Sequence, residues 1–130
     1  MTPSSRQEPS QGGPRQRAER YGRAAEALAA LLLRLKGYTI LARDLRTPWG
    51  EIDLIARRRH TLAFVEVKAR REMTEEVLTR RQRRRIVFAA EAFLARRPEL
   101  TGLCVRFDVI LIGGGRRPRH LTDAFRADDD

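Results

Sequence analysis

From Ala18 to Lys36 the apolar residues Ala18, Tyr21, Ala25, Leu28, Leu32 and Leu35 recur three and four residues apart, the period of one helix face. Gly37 then supplies the conformation that ends many helices, and Tyr38 enters the next element. Thr39–Leu45 alternates loosely and predicts a first strand, closing in a turn around Pro48, Trp49 and Gly50. Glu51–Ala56 and Leu62–Lys68 are short β-branched and apolar runs on either side of the polar turn Arg57–Thr61, and read as a hairpin. Thr79 and Gln82 match a capping box, whose hydroxyl and amide satisfy free N–H groups at a helix start. That second helix runs to about Arg97, with Ile86, Ala90, Phe93 and Leu94 inward and Pro98 barring continuation. Cys104–Ile112 predicts a fourth strand, Gly113–Gly115 a turn, and His120–Phe125 a short last strand. The order α-β-β-β-α-β-β predicts an α/β fold with a mixed central sheet of four to five strands, in which the first three form a meander and the second helix is a crossover.

The ends of the chain carry little of this pattern. Residues 1–16 are rich in Pro, Ser, Gln and Gly and are expected to be a disordered tail, 17–125 the folded domain, and 126–130 a frayed acidic end. At 130 residues the chain suits a single core. Its longest apolar run, Ala27–Leu33, falls well short of the ~20 residues of a membrane span, and no signal peptide opens it, so a cytoplasmic protein with no membrane partner is expected. Cys104 is the one cysteine, which excludes an intramolecular disulfide and a multi-cysteine metal site. The net charge of +10 favours a polyanionic partner, nucleic acid and in particular DNA. Of the 27 basic residues only Lys36 and Lys68 are lysine, a skew that coding bias also produces. In a chain that otherwise chooses arginine, Lys68 reads as a requirement for an ammonium group.

Charge sits in the wrong places on the hairpin. Asp53 interrupts one apolar run, and Glu66 and Lys68 interrupt the other, although buried charge is costly unless paired or bound to metal. Alternation puts Glu66 and Lys68 on one face and Ala63, Val65 and Val67 on the other. An even-residue loop brings Asp53 to the face of Glu66; an odd loop would bury it among the valines, so the even register is expected. Opposed side chains lie ~4.5–5.5 Å apart at Cβ, where like charges repel, and a cation between the carboxylates relieves that repulsion. Oxygen ligands suit Mg²⁺ or Mn²⁺, and Mg²⁺ usually takes only one or two protein carboxylates. Such a site fits phosphodiester hydrolysis, with the metal activating water and Lys68 positioning or deprotonating that water or stabilising the phosphorane. Glu26 would add a third carboxylate if the first helix packs beside the hairpin; on the pattern alone, pairing with Arg23 or Arg34 is an equal reading.

Glu26, Gly50-Glu51-Ile52-Asp53-Leu54-Ile55 and Phe64-Val65-Glu66-Val67-Lys68 together resemble the signature of the bacterial YraN-like proteins, a largely uncharacterised family assigned to the PD-(D/E)xK endonuclease superfamily, near archaeal Holliday-junction resolvases. The resemblance runs from about Ala18 to Phe125 and includes Gly37-Tyr38, Thr79 with Gln82, and Val105-Arg106-Phe107-Asp108. It implies a restriction-endonuclease-like three-layer core, Asp53 and Glu66 as metal ligands, Lys68 as the catalytic lysine and Glu26 as the helix carboxylate. A homodimer follows only by analogy with the resolvases. Two departures stand out: Asp44 replaces a usual Asn, and the segment between Lys68 and Thr79 is shorter than usual, which bears on substrate contacts beside the site.

Arg80, Arg81 and Arg84, within the arginine cluster that opens the second helix, and Arg57, Arg58 and Arg59 in the hairpin turn suit backbone phosphates. Positive charge at a helix start opposes the dipole, which favours a phosphate role there over a solvated face. Glu51 shares the face of Asp53 as an accessory group, and Gln82 either approaches the site or simply completes the capping box. His60 and His120 read as surface residues, Asp108 as the partner of an arginine, and Trp49 as a core aromatic covering its turn, with base stacking the lesser reading. No base-reading motif is present, so the expectation is a divalent-metal-dependent endonuclease that recognises structure, on branched or damaged DNA. A nucleic-acid-binding module without chemistry is the alternative, and an adaptor for another protein has only the tail in its favour.

Overall fold

The computed structural model describes residues 14–69 and 78–128. Helix α1 spans Pro14–Leu35 and starts a few residues ahead of the expected Ala18. Its C-terminus closes through Gly37, at φ +94°, with the Tyr38 N–H donating to the Leu33 carbonyl at 2.9 Å. The sheet-facing stripe is not the one that leucine spacing predicts. Ala25, Ala29, Ala30 and Leu33 are buried, whereas Leu28 and Leu35 are 42% and 77% exposed. Alanines on α1 meet Ala56 and Ala63 of the sheet, so small side chains that let the helix approach closely win over larger ones. Ala18 and Tyr21 of the expected stripe lie among side chains outside those described.

Strand β1 (Thr39–Arg46) carries a bulge between Ile40 and Ala42, and Asp44 adopts φ +52°. Strands β2 (Glu51–Arg58) and β3 (Thr61–Ala69) are longer than expected, leaving Arg59 and His60 as a two-residue loop with Arg59 at φ +58°. Arg57 and Arg58 are therefore strand residues. The loop is even, and the register runs Arg58↔Thr61 to Leu54↔Val65, so the next positions in line are Asp53 and Glu66.

Helix α2 (Arg80–Ala95) opens with the capping box: the Gln82 N–H donates to Thr79 Oγ1 at 3.1 Å, and the Thr79 N–H to Gln82 Oε1 at 2.9 Å. It ends just before a single 3₁₀ turn, Pro98–Leu100. Strand β4 (Cys104–Gly113) then lies parallel to β3, and β5 (Arg116–Phe125), begun earlier than expected, lies antiparallel to β4. The sheet order is β1-β2-β3-β4-β5. This is a mixed five-stranded α/β sheet with α1 on one face and α2 on the other, a three-layer arrangement consistent with a nuclease-like fold.

The α2 face is centred on aromatics. Phe64 meets Phe93 edge-on with centroids 6.0 Å apart, and Phe107 stacks between Phe64 and Phe125 at 5.7 and 5.0 Å. On the other face Asp108 is fully buried and accepts from Arg106 at 2.8 and 2.7 Å and from the Asp123 N–H at 3.0 Å. The arginine partner is as expected; the histidine beside it corrects the surface reading, because the His120 side chain is only 3% exposed and its Nε2 lies 2.8 Å from Asp108 Oδ2. Lys36 Nζ sits 2.7 Å from His120 Nδ1; a lysine nitrogen donates, so Nδ1 accepts and Nε2 carries the hydrogen given to Asp108. Arg106 also donates to the Tyr38 hydroxyl at 2.6 Å, tying the end of α1 to β4 and β5. No helix among the described residues is long and apolar enough to cross a membrane.

Candidate functional site

The ladder between β2 and β3 stops at Leu54↔Val65, one step before Asp53 and Glu66. There the Asp53 side chain takes over a backbone role: its Oδ2 accepts from the Val67 N–H at 2.8 Å. The substitution anchors Asp53 and opens a cleft of about 290 Å³ lined by Glu51, Asp53, Glu66, Gln82, Arg85 and Ile86. Lys68 lies two residues beyond Glu66 on the same face, with Nζ 3.6 Å from Glu66 Oε2 and both side chains largely buried. β3 thus contributes a carboxylate and an ammonium, and β2 a second carboxylate across from them.

Glu26 joins from α1. It is half-buried beside Ala25, Ala29 and Ala30, the small buried residues with which the helix packs onto the sheet. Its electrostatic neighbours are Asp53, Asp44 and Arg43, not Arg23 or Arg34. Desolvation by burial, together with the charge of and hydrogen bond to Asp53, pushes Glu26 up to about 7. Burial and the charge of Asp53 push Glu66 up to about 8, against the pull of Lys68. Burial also raises Asp53, although the Val67 N–H, hydrogen bonds with Glu26 and Glu66, and Lys68 all act in the opposite direction. Asp53 therefore interacts with both Glu26 and Glu66, and its charge penalises the charged form of each.

The donor chemistry suits a hard divalent cation, since the groups are carboxylate oxygens whose mutual repulsion a cation offsets. Among the described residues no three Asp, Glu, His or Cys side chains form, as they stand, a group that could hold a metal ion. Asp53 and Glu66 are the pair that faces across the strands, and a Mg²⁺ ion that keeps several waters needs no more.

The remaining expected residues divide. Gln82 serves both readings at once, completing the capping box and lining the cleft. Glu51 lines the cleft from the start of β2. Arg80, Arg81 and Arg84 line a neighbouring cleft, and Arg85, which lines both, links it to the site. Arg57, Arg58 and Arg59 lie at the other end of the hairpin, roughly 13–20 Å from Asp53 at ~3.3 Å per strand residue. Arg58 is moreover engaged there, donating to the Lys36 carbonyl at 3.0 Å and lying over the Tyr38 ring. His60 is exposed in the loop. Trp49 corrects the core-aromatic reading: it is 56% exposed. Arg85 is expected only as one of the arginines that open α2, and Phe88 is unassigned by sequence, although 81, 84, 85 and 88 share one helix face by their spacing. The short segment before Thr79 falls largely within residues 70–77, outside those described.

Residues 25–112 match the family described as "Uncharacterised protein family UPF0102". A UPF0102 protein of Paramagnetospirillum magneticum is 55% identical, covering 87% of this chain and 92% of its own length. One of Parvibaculum lavamentivorans is 56% identical over 84% of each chain, and one of Nitrobacter winogradskyi 54% identical over 82% of this chain and 92% of its own.

Proposed function

The chain belongs to the uncharacterised protein family UPF0102, and we propose that it is a divalent-metal-dependent endonuclease of PD-(D/E)xK type that hydrolyses phosphodiester bonds in structured DNA. The observation that carries this reading is the placement of Asp53 in register with Glu66 where the β2–β3 ladder opens, with Lys68 Nζ 3.6 Å from Glu66. Asp53 and Glu66 would hold Mg²⁺ or Mn²⁺, and Glu26 would complete the acidic rim from α1. The cation, when bound, supplies Lewis-acid activation of water and offsets charge on the phosphoryl oxygens.

The protein's own groups do the rest. Asp53, pinned by the Val67 N–H, keeps its carboxylate fixed relative to β3. Lys68 orients the attacking water towards phosphorus and stabilises the negative charge that develops there. As the new P–O bond forms, the attacking water gives up a proton to solvent, the bond to O3′ breaks, O3′ takes up a proton from solvent, and a 5′-phosphate remains. Gln82 and Arg85 close the far wall of the cleft, where Arg85 can pair with a phosphate next to the scissile one.

A second reading, a nucleic-acid-binding module that does no chemistry, draws on the net charge of +10 and the arginine-lined cleft beside the site. Incubation of the protein with junction, flap and duplex DNA in Mg²⁺ or Mn²⁺, beside Glu66→Ala and Lys68→Ala, separates the two. The nuclease reading expects metal-dependent cuts by the wild type that both substitutions reduce by about 10²-fold or more. Equal binding by all three proteins with no cleavage by any supports the binding module instead. Cleavage that survives both substitutions contradicts the site.

A further inference from the structure

The turn from Thr47 to Gly50 is tied internally and seated on α2. Thr47 Oγ1 accepts from the N–H groups of Trp49 at 3.2 Å and Gly50 at 3.0 Å and donates to the Gly50 carbonyl at 2.8 Å, which also accepts from the Thr47 N–H at 2.8 Å. Gly50 is pressed against the helix so closely that a Cβ there would lie 2.5 Å from the Arg85 carbonyl oxygen. A rigid turn fixed in this way holds Trp49 outward, 56% exposed, beside Phe88, itself 44% exposed. Neither ring is needed by the core, which closes on Phe64, Phe93, Phe107 and Phe125.

Around the two rings lies a cleft of about 840 Å³ whose remaining wall is Pro48 and four arginines, Arg80, Arg81, Arg84 and Arg85. Among the described residues no acidic side chain lines it; a carboxylate, Glu91, enters only the adjoining groove that Trp49 and Phe88 also line. Flat aromatic surface interleaved with guanidinium groups is complementary to a base and its phosphates, and stacking of this kind is tolerant of sequence. An apolar protein segment would find the rings but leave four guanidiniums facing it without partners.

We propose that the Trp49–Phe88 face is a subsite that stacks an unpaired base, while Arg80, Arg81 and Arg84 hold the flanking phosphates and Arg85 passes the strand to the Asp53–Glu66 cleft. The substrate class is then nucleic acid with a single-stranded or displaced nucleotide beside the point of cutting, in preference to fully paired duplex. The delivery of that strand for cutting rests on the nuclease reading above; the stacking does not.

Trp49 is the sole tryptophan, so its fluorescence reports on this surface alone. In EDTA, which prevents cleavage, the protein is titrated with an oligothymidine single strand, with an abasic strand carrying the same phosphates, and with blunt duplex. The oligothymidine is expected to quench Trp49 and to bind about tenfold more tightly than the abasic strand. By anisotropy of labelled oligothymidine, Trp49→Ala and Phe88→Ala each weaken binding by about tenfold, whereas Trp49→Phe stays within about twofold because the ring remains. Thermal melts of the variants identify any loss of fold. Unchanged Trp49 fluorescence, equal affinity for the abasic strand, or wild-type affinity in Trp49→Ala overturns the subsite. Stacking without any cleavage in Mg²⁺ leaves the subsite standing and removes the nuclease reading. Cleavage of flaps with an unchanged KM in Trp49→Ala does the reverse.

Discussion

Crowding of carboxyl groups at Asp53, Glu66 and Glu26 has a cost that the protein carries whenever all are charged. Glu66, raised by burial and by Asp53 from an ordinary 4.5 to about 8, binds its proton more tightly folded than unfolded. The stability this adds is full below the unfolded value and is lost as pH rises through about 8. Glu66→Gln removes the titration while keeping the shape. In a chelating buffer at pH 8 it is expected to be more stable than the wild type, by on the order of 1–2 kcal/mol, with the gap narrowing towards pH 5. Urea denaturation at the two pH values measures this; equal stability at both would mean that Glu66 is not penalised. Asp44 bears on the same cluster, since its charge raises Glu26. It also explains the residue type at its position. At φ +52° Asp and Asn are the side chains that tolerate the backbone best after glycine, so the exchange of one for the other keeps the geometry and changes only the charge.

Among the elements, the join of α1, β4 and β5 depends on a single buried carboxylate. Burial alone would raise Asp108, but hydrogen bonds from His120, Arg106 and the Asp123 N–H outweigh it and hold the carboxyl below its ordinary value. Its contribution is therefore present at neutral pH and lost as pH falls through that lowered value. Asp108→Ala removes the carboxylate from Arg106 and His120, leaving Arg106 only the Tyr38 hydroxyl, and is expected to cost about 3–5 kcal/mol at pH 7 in denaturant unfolding; a loss below ~1 kcal/mol would contradict the network. This network was half legible. An Asp on an apolar strand announced an arginine partner, but nothing local told that His120, 12 positions on, returns across β5 to the same carboxylate. The hairpin was far more legible, because alternation and an even loop leave one register that puts Ala63 and Val65 on the α1 face and Asp53 with Glu66 on the other. Helix α1 was not, since leucine spacing measures hydrophobicity while the sheet selected Ala29 and Ala30 for fit. Trp49 misled for a related reason: an aromatic in a turn usually covers the core, and only the contact of Gly50 with α2 reveals that the turn is held outward.

Taken whole, the molecule sets an acidic cleft beside an arginine-lined one, with Arg85 common to both, on a chain of net charge +10. On the proposed reading the positive surface would gather a polyanion, and the acidic cluster would need a cation before a phosphate could approach it. The central claim is that this cation sits between Asp53 and Glu66. Calorimetric titration of Mn²⁺ into the wild type, Asp53→Asn and Glu66→Gln tests it most directly. One binding event per chain is predicted for the wild type, weakened roughly tenfold or more in each variant. The same isotherm for all three proteins, or no binding by the wild type, would contradict it.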